Sequence, residues 1–300
     1  ANGRDATALS ASFGSLESVG NYILIDDDLN SSPYYNGRLT NLTLGSPTGT
    51  GCIVGATGAD KYLSIQYARY LETIDARGIT QVDGYLDLYY DDACTSVAFD
   101  RLHTVGGYLS VNKLNQLTSV GFPLLTSVGD WLAFYYNDLL ESITTMGTGL
   151  AIGDDLTITN NPLLSDTAGL NSIASISGRL NVSQNGPSDG TPSFTMTGLN
   201  SVGENVDFSS NKFTSIDIGA TAVTGYVEID MNERLETFAM DSLTAIGDYL
   251  KYHVNGWNAV AATSVSIASL ESVGNFVLFD DQQNYFPYST GKFTSVTPGN

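Results

Sequence analysis

The chain has 300 residues, and its 32 acidic side chains against 12 basic ones give a formal net charge of −20. That charge repels phosphate backbones and anionic lipid surfaces and argues against nucleic acid as a partner. The 42% of apolar residues suffices for a core, while 31 glycines with abundant Ser, Thr and Asn point to many short turns and a β composition.

The sequence opens at Ala1 without a charged-then-apolar leader, so a secretion signal is expected to have been removed or to lie outside this segment. No apolar run reaches the roughly 18 residues of a membrane-spanning helix. From the first strand onward one unit repeats. An apolar residue, an outward residue and a second apolar residue form a strand core, whose first member falls at Ile23, Leu42, Leu63, Leu86, Leu109, Leu132, Leu156, Leu180, Val206, Val227, Leu250 and Val277. The separations of 19 to 27 residues lie in the range of leucine-rich and related coiled repeats. A unit this short cannot bury its own apolar face, so stacking is obligatory. The expectation is one elongated domain over residues 1–300, an all-β, right-handed parallel β-solenoid of about twelve rungs and roughly 50 Å.

Supporting signals recur in phase. Gly20, Gly106, Gly129, Gly153, Gly203, Gly247 and Gly274 stand three residues before a core, where a tight corner excludes a Cβ. A second edge follows each core, as in Leu71-Glu-Thr-Ile74, Leu117-Thr-Ser-Val120 and Leu235-Glu-Thr-Phe238, with outer residues pointing in. The least regular passage, Gly45 to Asp60, reads as a loop on the coil, and only Leu170 to Ile176 could support a helical turn. Five residues after the core, six successive rungs carry Asn137, Asn161, Asn185, Asn211, Asn232 and Asn255. A stacked asparagine turn lets each amide bond its neighbours' backbones where the sheet ladder stops, so this row is expected to be structural.

Leu117-Thr-Ser-Val-Gly, Leu125-Thr-Ser-Val-Gly-Asp-Trp-Leu-Ala-Phe-Tyr-Tyr-Asn137 and Leu199-Asn-Ser-Val-Gly-Glu-Asn-Val-Asp-Phe-Ser-Ser-Asn211 resemble the receptor L-domain family, the β-helical relatives of leucine-rich repeats. The resemblance covers most of Leu16 to Val296. It implies an extracellular or cell-surface protein that presents surfaces. The chain departs from disulfide-rich receptor members in having only Cys52 and Cys94, which argues against a growth-factor-receptor role.

The residue before each core points outward: Tyr22, Asn41, Tyr62, Tyr85, Tyr108, Trp131, Asp155, Arg179, Asn205, Tyr226, Tyr249 and Phe276. At about 4.8 Å between rungs, the eight aromatic members form two ladders interrupted in the middle, broadened by Tyr89 and Tyr135. Such a strip either stabilises the strands by stacking or serves as an interaction surface for another copy, a glycan or a protein ligand.

Catalysis finds no foothold. His103 and His253, the only histidines, sit in no nucleophile-elbow or His-Glu-x-x-His context; His103 is expected at the surface and His253 on the outward sheet face. No cofactor is expected. The acidic runs at Asp26-Asp27-Asp28, Asp91-Asp92, Asp154-Asp155 and Asp280-Asp281 read as solvated loop carboxylates. Calcium is the remaining candidate ion, although no Asp-x-Asp-x-Asp-Gly loop supports it. Cys52 and Cys94 are candidates for a disulfide, with repeat phases two rungs apart against it. Asn30, Asn41 and Asn181 begin glycosylation sequons.

The two ends repeat each other. Ser15 begins SLESVGNYILIDDDLNSSPYYNGRLTNLT and Ser269 begins SLESVGNFVLFDDQQNYFPYSTGKFTSVT, 254 residues later, so 269–297 restates 15–43. Either a second tandem module begins here, or both ends are shaped for similar neighbours. Neither carries an evident polar cap. The expected function is therefore a non-enzymatic structural module of an extracellular filament, appendage or cell-surface coat, self-associating head to tail or laterally. The competing reading is an adhesion or recognition ectodomain for a glycan or protein.

Overall fold

The computed structural model describes residues 9–26, 39–260, 263–280 and 293–298. Every described pairing is parallel, and the strands stack as a β-solenoid with almost no helix. Each coil has three sides because its apolar alternation runs for only two to six residues before a turn. The front sheet holds eleven described strands, from Tyr22–Asp26 through Leu132–Tyr135 to Val277–Asp280. A side sheet of two- to four-residue strands, also eleven, runs from Ser18–Val19 to Ser272–Val273. The third side is broken. A four-stranded sheet is followed by the pair Ser119–Phe122 and Ser142–Met146, a 3-10 turn at Ala168–Ser172, and a five-stranded sheet ending in Phe293–Pro298.

Two expectations are corrected. Leu42 lies on Leu39–Leu44 of the third side, and Tyr62–Gln66 pairs directly with Tyr22–Asp26, so the front sheet has eleven described rungs rather than twelve. Period-two alternation gives the same text on every side of a coil, so Leu-Thr-Asn-Leu-Thr-Leu carried no mark of which side it forms. Within Gly45 to Asp60, expected to be a loop, Cys52–Val54 is a strand of the side sheet. It is flanked by Gly51 and Gly55, which adopt left-handed φ of 98° and 89°.

Register holds the core together. Leu109, Leu132, Leu156 and Leu180 face one another in successive rungs, as do Val111, Phe134, Ile158 and Val182, and all eight are fully buried. Each buried side chain of this size stabilises the stack by roughly 1.5–3 kcal/mol, which one coil alone could not gather. Apart from Gly20, the glycine row is required by close approach to the backbone of the preceding rung rather than by φ, since none of its members is left-handed. A Cβ on Gly153 would stand 1.9 Å from the Gly129 carbonyl oxygen, and one on Gly129 would stand 2.0 Å from that of Gly106. Gly153→Ala must push two rungs apart, and a loss of about 1–3 kcal/mol is expected in urea denaturation.

The asparagine row forms a continuous column at the corner after the front sheet. The backbone N–H and Nδ2 of Asn161 both donate to Asn185 Oδ1, at 3.1 and 3.0 Å, and Nδ2 also reaches the carbonyl of Phe134. The same pattern runs from Asn137 to Asn161 and on through Asn185, Asn211, Asn232 and Asn255. All six are buried. The column anchors a row of left-handed residues that the sequence does not announce. Tyr67, Tyr90, Lys113, Tyr136, Asn160, Gln184, Ser210, Met231 and Val254 each precede the column position of their rung and have φ of 48–59°. Most are poor choices for that region, which costs roughly 1–2 kcal/mol per non-glycine residue; the side-chain bonds of the column hold them there.

Asp91 stands in this column and is not a solvated loop acid. Five residues after Leu86, it is fully buried and accepts the Ala68 N–H at 2.7 Å, as Asn137 accepts that of Leu114 at 3.0 Å. Cys52 and Cys94 are free, buried thiols rather than a disulfide. Cys52 lies in the side sheet, while Cys94 turns onto the third side, where its Sγ donates to the Ser96 carbonyl. Burial raises both thiols, Cys94 to about 12.

The similarity of the two ends extends to conformation. Leu39–Leu44 pairs with Leu9–Phe13 through Leu9↔Leu39, a one-residue shift, then Ala11↔Leu42; Phe293–Pro298 pairs with Thr263–Ile267 through Thr263↔Phe293, the same shift, then Val265↔Val296. One coil type thus occurs twice, carrying its neighbour on one edge at Tyr22–Asp26 and on the opposite edge at Val277–Asp280.

Candidate functional site

The front sheet gathers most of the chemistry-bearing residues on its outer face, in three columns. In the first, Tyr22, Tyr62, Tyr85, Tyr108 and Trp131 stack with centroids 4.1–4.8 Å apart and planes within 9°. Tyr226, Tyr249 and Phe276 stack likewise, at 4.8 and 4.9 Å. Between the two ladders lie Asp155, Arg179 and Asn205. Arg179 donates to Glu204 at 2.8 Å and its N–H to Asp155 at 2.6 Å, while Asn205 accepts the Tyr226 N–H. Asn41, expected in this row, belongs to the third side, where it is exposed and accepts the Thr73 hydroxyl.

Rung spacing and ring thickness nearly coincide, so each ring covers its neighbour's face and offers solvent an edge. Only the outermost rings, Tyr22 and Phe276, are as much as 44–45% exposed. Burial is the first cause of the raised phenols along the column; Tyr108 is pushed up to about 12, with the Asp87 carboxylate and Tyr85 adding to it. Tyr249 is also raised, by burial and then by its hydrogen bond to Glu228. The second column beside the first ladder runs Leu24, Ser64, Asp87, Ser110 and Ala133. Ser64, Ser110 and Ala133 are buried although they point away from the core, because the flanking rings stand taller than they do.

Near the second ladder the face is charged. Lys251 Nζ lies 2.6 Å from Glu228 Oε1, and His253 Nδ1 lies 2.8 Å from Asp230 Oδ1, each pair joining adjacent strands. His253 Nε2 faces Asp280 at 3.9 Å, so carboxylates stand on both sides of the ring. Burial raises Asp207, one of whose oxygens is enclosed without a hydrogen-bond partner. These cross-rung pairs escaped the sequence reading; aligning Val227-Glu-Ile-Asp with Leu250-Lys-Tyr-His would have revealed them. His103 is exposed on a turn. At the far edge of the face Tyr89, Tyr90 and Tyr136 gather around Lys113, whose Nζ is 5.2 Å from the Tyr90 centroid, and Tyr67 packs against Tyr89 and Tyr90.

Among the described residues, no three of His, Cys, Asp and Glu are grouped to hold a metal ion. Asp27, Asp28, Asp281 and the sequon residue Asn30 lie outside the described residues. Asn181 is half-buried on the front face. Among the described residues no helix is long and apolar enough to cross a membrane. No protein-family model matches the chain, and no curated protein or solved structure matches it either.

Proposed function

We propose that the protein is a non-enzymatic structural module of an extracellular filament, appendage or cell-surface coat, in which copies stack end to end into a longer rod. The observation that carries this reading is the coil that occurs twice. A similar sequence in the same pairing register supports a following coil at 9–44 and a preceding coil at 263–298, so this coil type accepts parallel neighbours on both edges. Stacking through such edges translates one unit along its axis, and contacts of that head-to-tail kind give open filaments when the rotation does not close a ring. The winding is taken as right-handed, the hand of nearly all parallel β-crossovers. An extracellular setting follows from the receptor L-domain resemblance and agrees with the strong acidity.

Recognition of a glycan or protein on the aromatic strip is the competing reading. Stacking weighs against a sugar platform, because a sugar needs an uncovered ring face and the inner rings cover one another. Sedimentation across protein concentration and salt tests the proposal. Mass should rise in whole-copy steps, more readily at high ionic strength, where the repulsion between chains of net charge −20 is screened. A single monomeric species under every condition would overturn it.

A further inference from the structure

We propose that Tyr67 and Tyr89 form an oxidative cross-linking site, at which a peroxidase-class oxidant using hydrogen peroxide joins the two rings into dityrosine and fastens two neighbouring rungs to each other. The site lies within one copy, so it stands whether or not copies stack into rods.

The asparagine column marks the place. From Asn137 onward it holds the corner after the front sheet, but the three rungs before it carry Ala68, Asp91 and Leu114 in that position. Ala68 and Leu114 have no polar side chain with which to continue the column. Tyr67, Tyr90 and Lys113 nevertheless keep left-handed φ of 56°, 59° and 56° there. Bulky residues persist in that region only where their surroundings hold them. The tyrosine cluster coincides with this gap. Tyr67 packs on Tyr89 with centroids 5.3 Å apart and on Tyr90 at 5.7 Å, and Tyr89 lies 5.9 Å from Tyr90. Lys113 sits over Tyr89 and Tyr90, and Arg69 over Tyr90, so the two cations fix the rings at the corner. Rings thus take over the fastening that asparagines supply further along.

Ring geometry selects the pair. Dityrosine joins two rings edge to edge through the carbons beside their hydroxyl-bearing carbons. The ladder of Tyr22, Tyr62, Tyr85 and Tyr108 opposes that product, because its rings lie face to face within 9° of parallel. Tyr67 and Tyr89 stand at 82°, so the edge of one ring meets the other, at the shortest centroid distance in the cluster. Both are half-buried, and their rungs are already joined where the Tyr67 N–H donates to the Tyr89 carbonyl at 3.0 Å. In the reaction each phenol gives one electron to the oxidant and its hydroxyl proton to water, and the two phenoxyl radicals pair their electrons in the new carbon–carbon bond. The hydrogen on each joined carbon then leaves as a proton while each oxygen regains one, which restores both phenols. The net loss is two electrons and two protons, and these convert one hydrogen peroxide into two waters.

Treatment of the folded chain with a peroxidase and hydrogen peroxide, followed by tryptic digestion and mass spectrometry, tests the site. Peptide 62–69 should be found joined to peptide 78–101 with the loss of two hydrogens, at a yield that does not change on dilution. Tyr62 and Tyr85 lie on the same two peptides, so the variants decide. Tyr67→Phe and Tyr89→Phe should each abolish the linked peptide, and Tyr90→Phe should keep it; far-UV circular dichroism checks that each is folded. In the parent unfolded in urea before oxidation the yield should fall several-fold, which tests the geometry without any substitution. The cross-linked parent should also unfold at higher urea than the untreated chain, since a covalent tie between rungs restricts the unfolded state. A linked peptide that survives Tyr67→Phe or Tyr89→Phe, a yield that rises with protein concentration, equal yields from folded and unfolded chain, or oxidation without this link would overturn the proposal.

Discussion

Asn161→Ala is expected to lower stability by about 3 kcal/mol or more, among the largest effects available to a substitution that removes no core side chain. The asparagine both gives and receives along the column. Without it, the backbone N–H and Nδ2 of Asn137 lose their shared acceptor, and the carbonyl of Phe134 and Oδ1 of Asn185 lose a donor. Each buried donor left unmade costs about 1–3 kcal/mol, because no water reaches it in exchange. The left-handed residues Tyr136 and Asn160 flank this stretch, so the strain they hold would no longer be opposed. Urea denaturation followed by circular dichroism measures the loss. Asn161→Ser, which keeps a smaller donor and acceptor, should fall between the parent and the alanine variant.

Asp91 makes the second large prediction, a stability that falls as pH rises through the neutral range. In this column an asparagine presents one acceptor and one donor; Asp91 presents Oδ1 to the Ala68 N–H, and its Oδ2 is enclosed without a partner. By the pattern of Asn137, whose Nδ2 donates to the Val111 carbonyl, the corresponding group here is the Ile65 carbonyl, which only a protonated Oδ2 can serve. Burial pushes the carboxyl up to about 8, with Asp87 and Asp92 adding to it. The folded protein therefore holds this proton more tightly than the unfolded chain, whose aspartates titrate near 4. The stabilisation is complete below about pH 4 and is lost as pH rises through about 8, at roughly 1.4 kcal/mol per pH unit for this one group. Asp91→Asn supplies a permanent donor, and should flatten that slope and raise stability at pH 8 by several kcal/mol. Equal slopes for parent and variant between pH 5 and 8 would contradict this account.

What could be read from the sequence was whatever recurs at rung period with one residue type. The leucine core, the six asparagines, the glycines and the aromatic row all qualify, and all but the Asn41–Leu42 rung stand where periodicity placed them. Leu42 was misplaced because alternation repeats on all three sides of a coil. Cys52–Val54 was missed because three residues between glycines are too few for a pattern. The left-handed row is invisible by type, running from tyrosine through lysine to valine, and is marked only by preceding the column. Asp91 was legible in phase but hidden by its chemistry, since an acid beside another acid reads as solvent-facing until its burial is known. The ion pairs Glu228–Lys251 and Asp230–His253 required register, which sequence spacing supplies only after the rungs are aligned.

Electron microscopy of the purified chain over a range of concentration and salt tests the central claim most directly. End-to-end stacking predicts unbranched rods one solenoid wide that lengthen with concentration, with the strand spacing of about 4.8 Å running uninterrupted along the axis. Isolated particles of single-copy length at every concentration, or sheets joined only side by side, would contradict it.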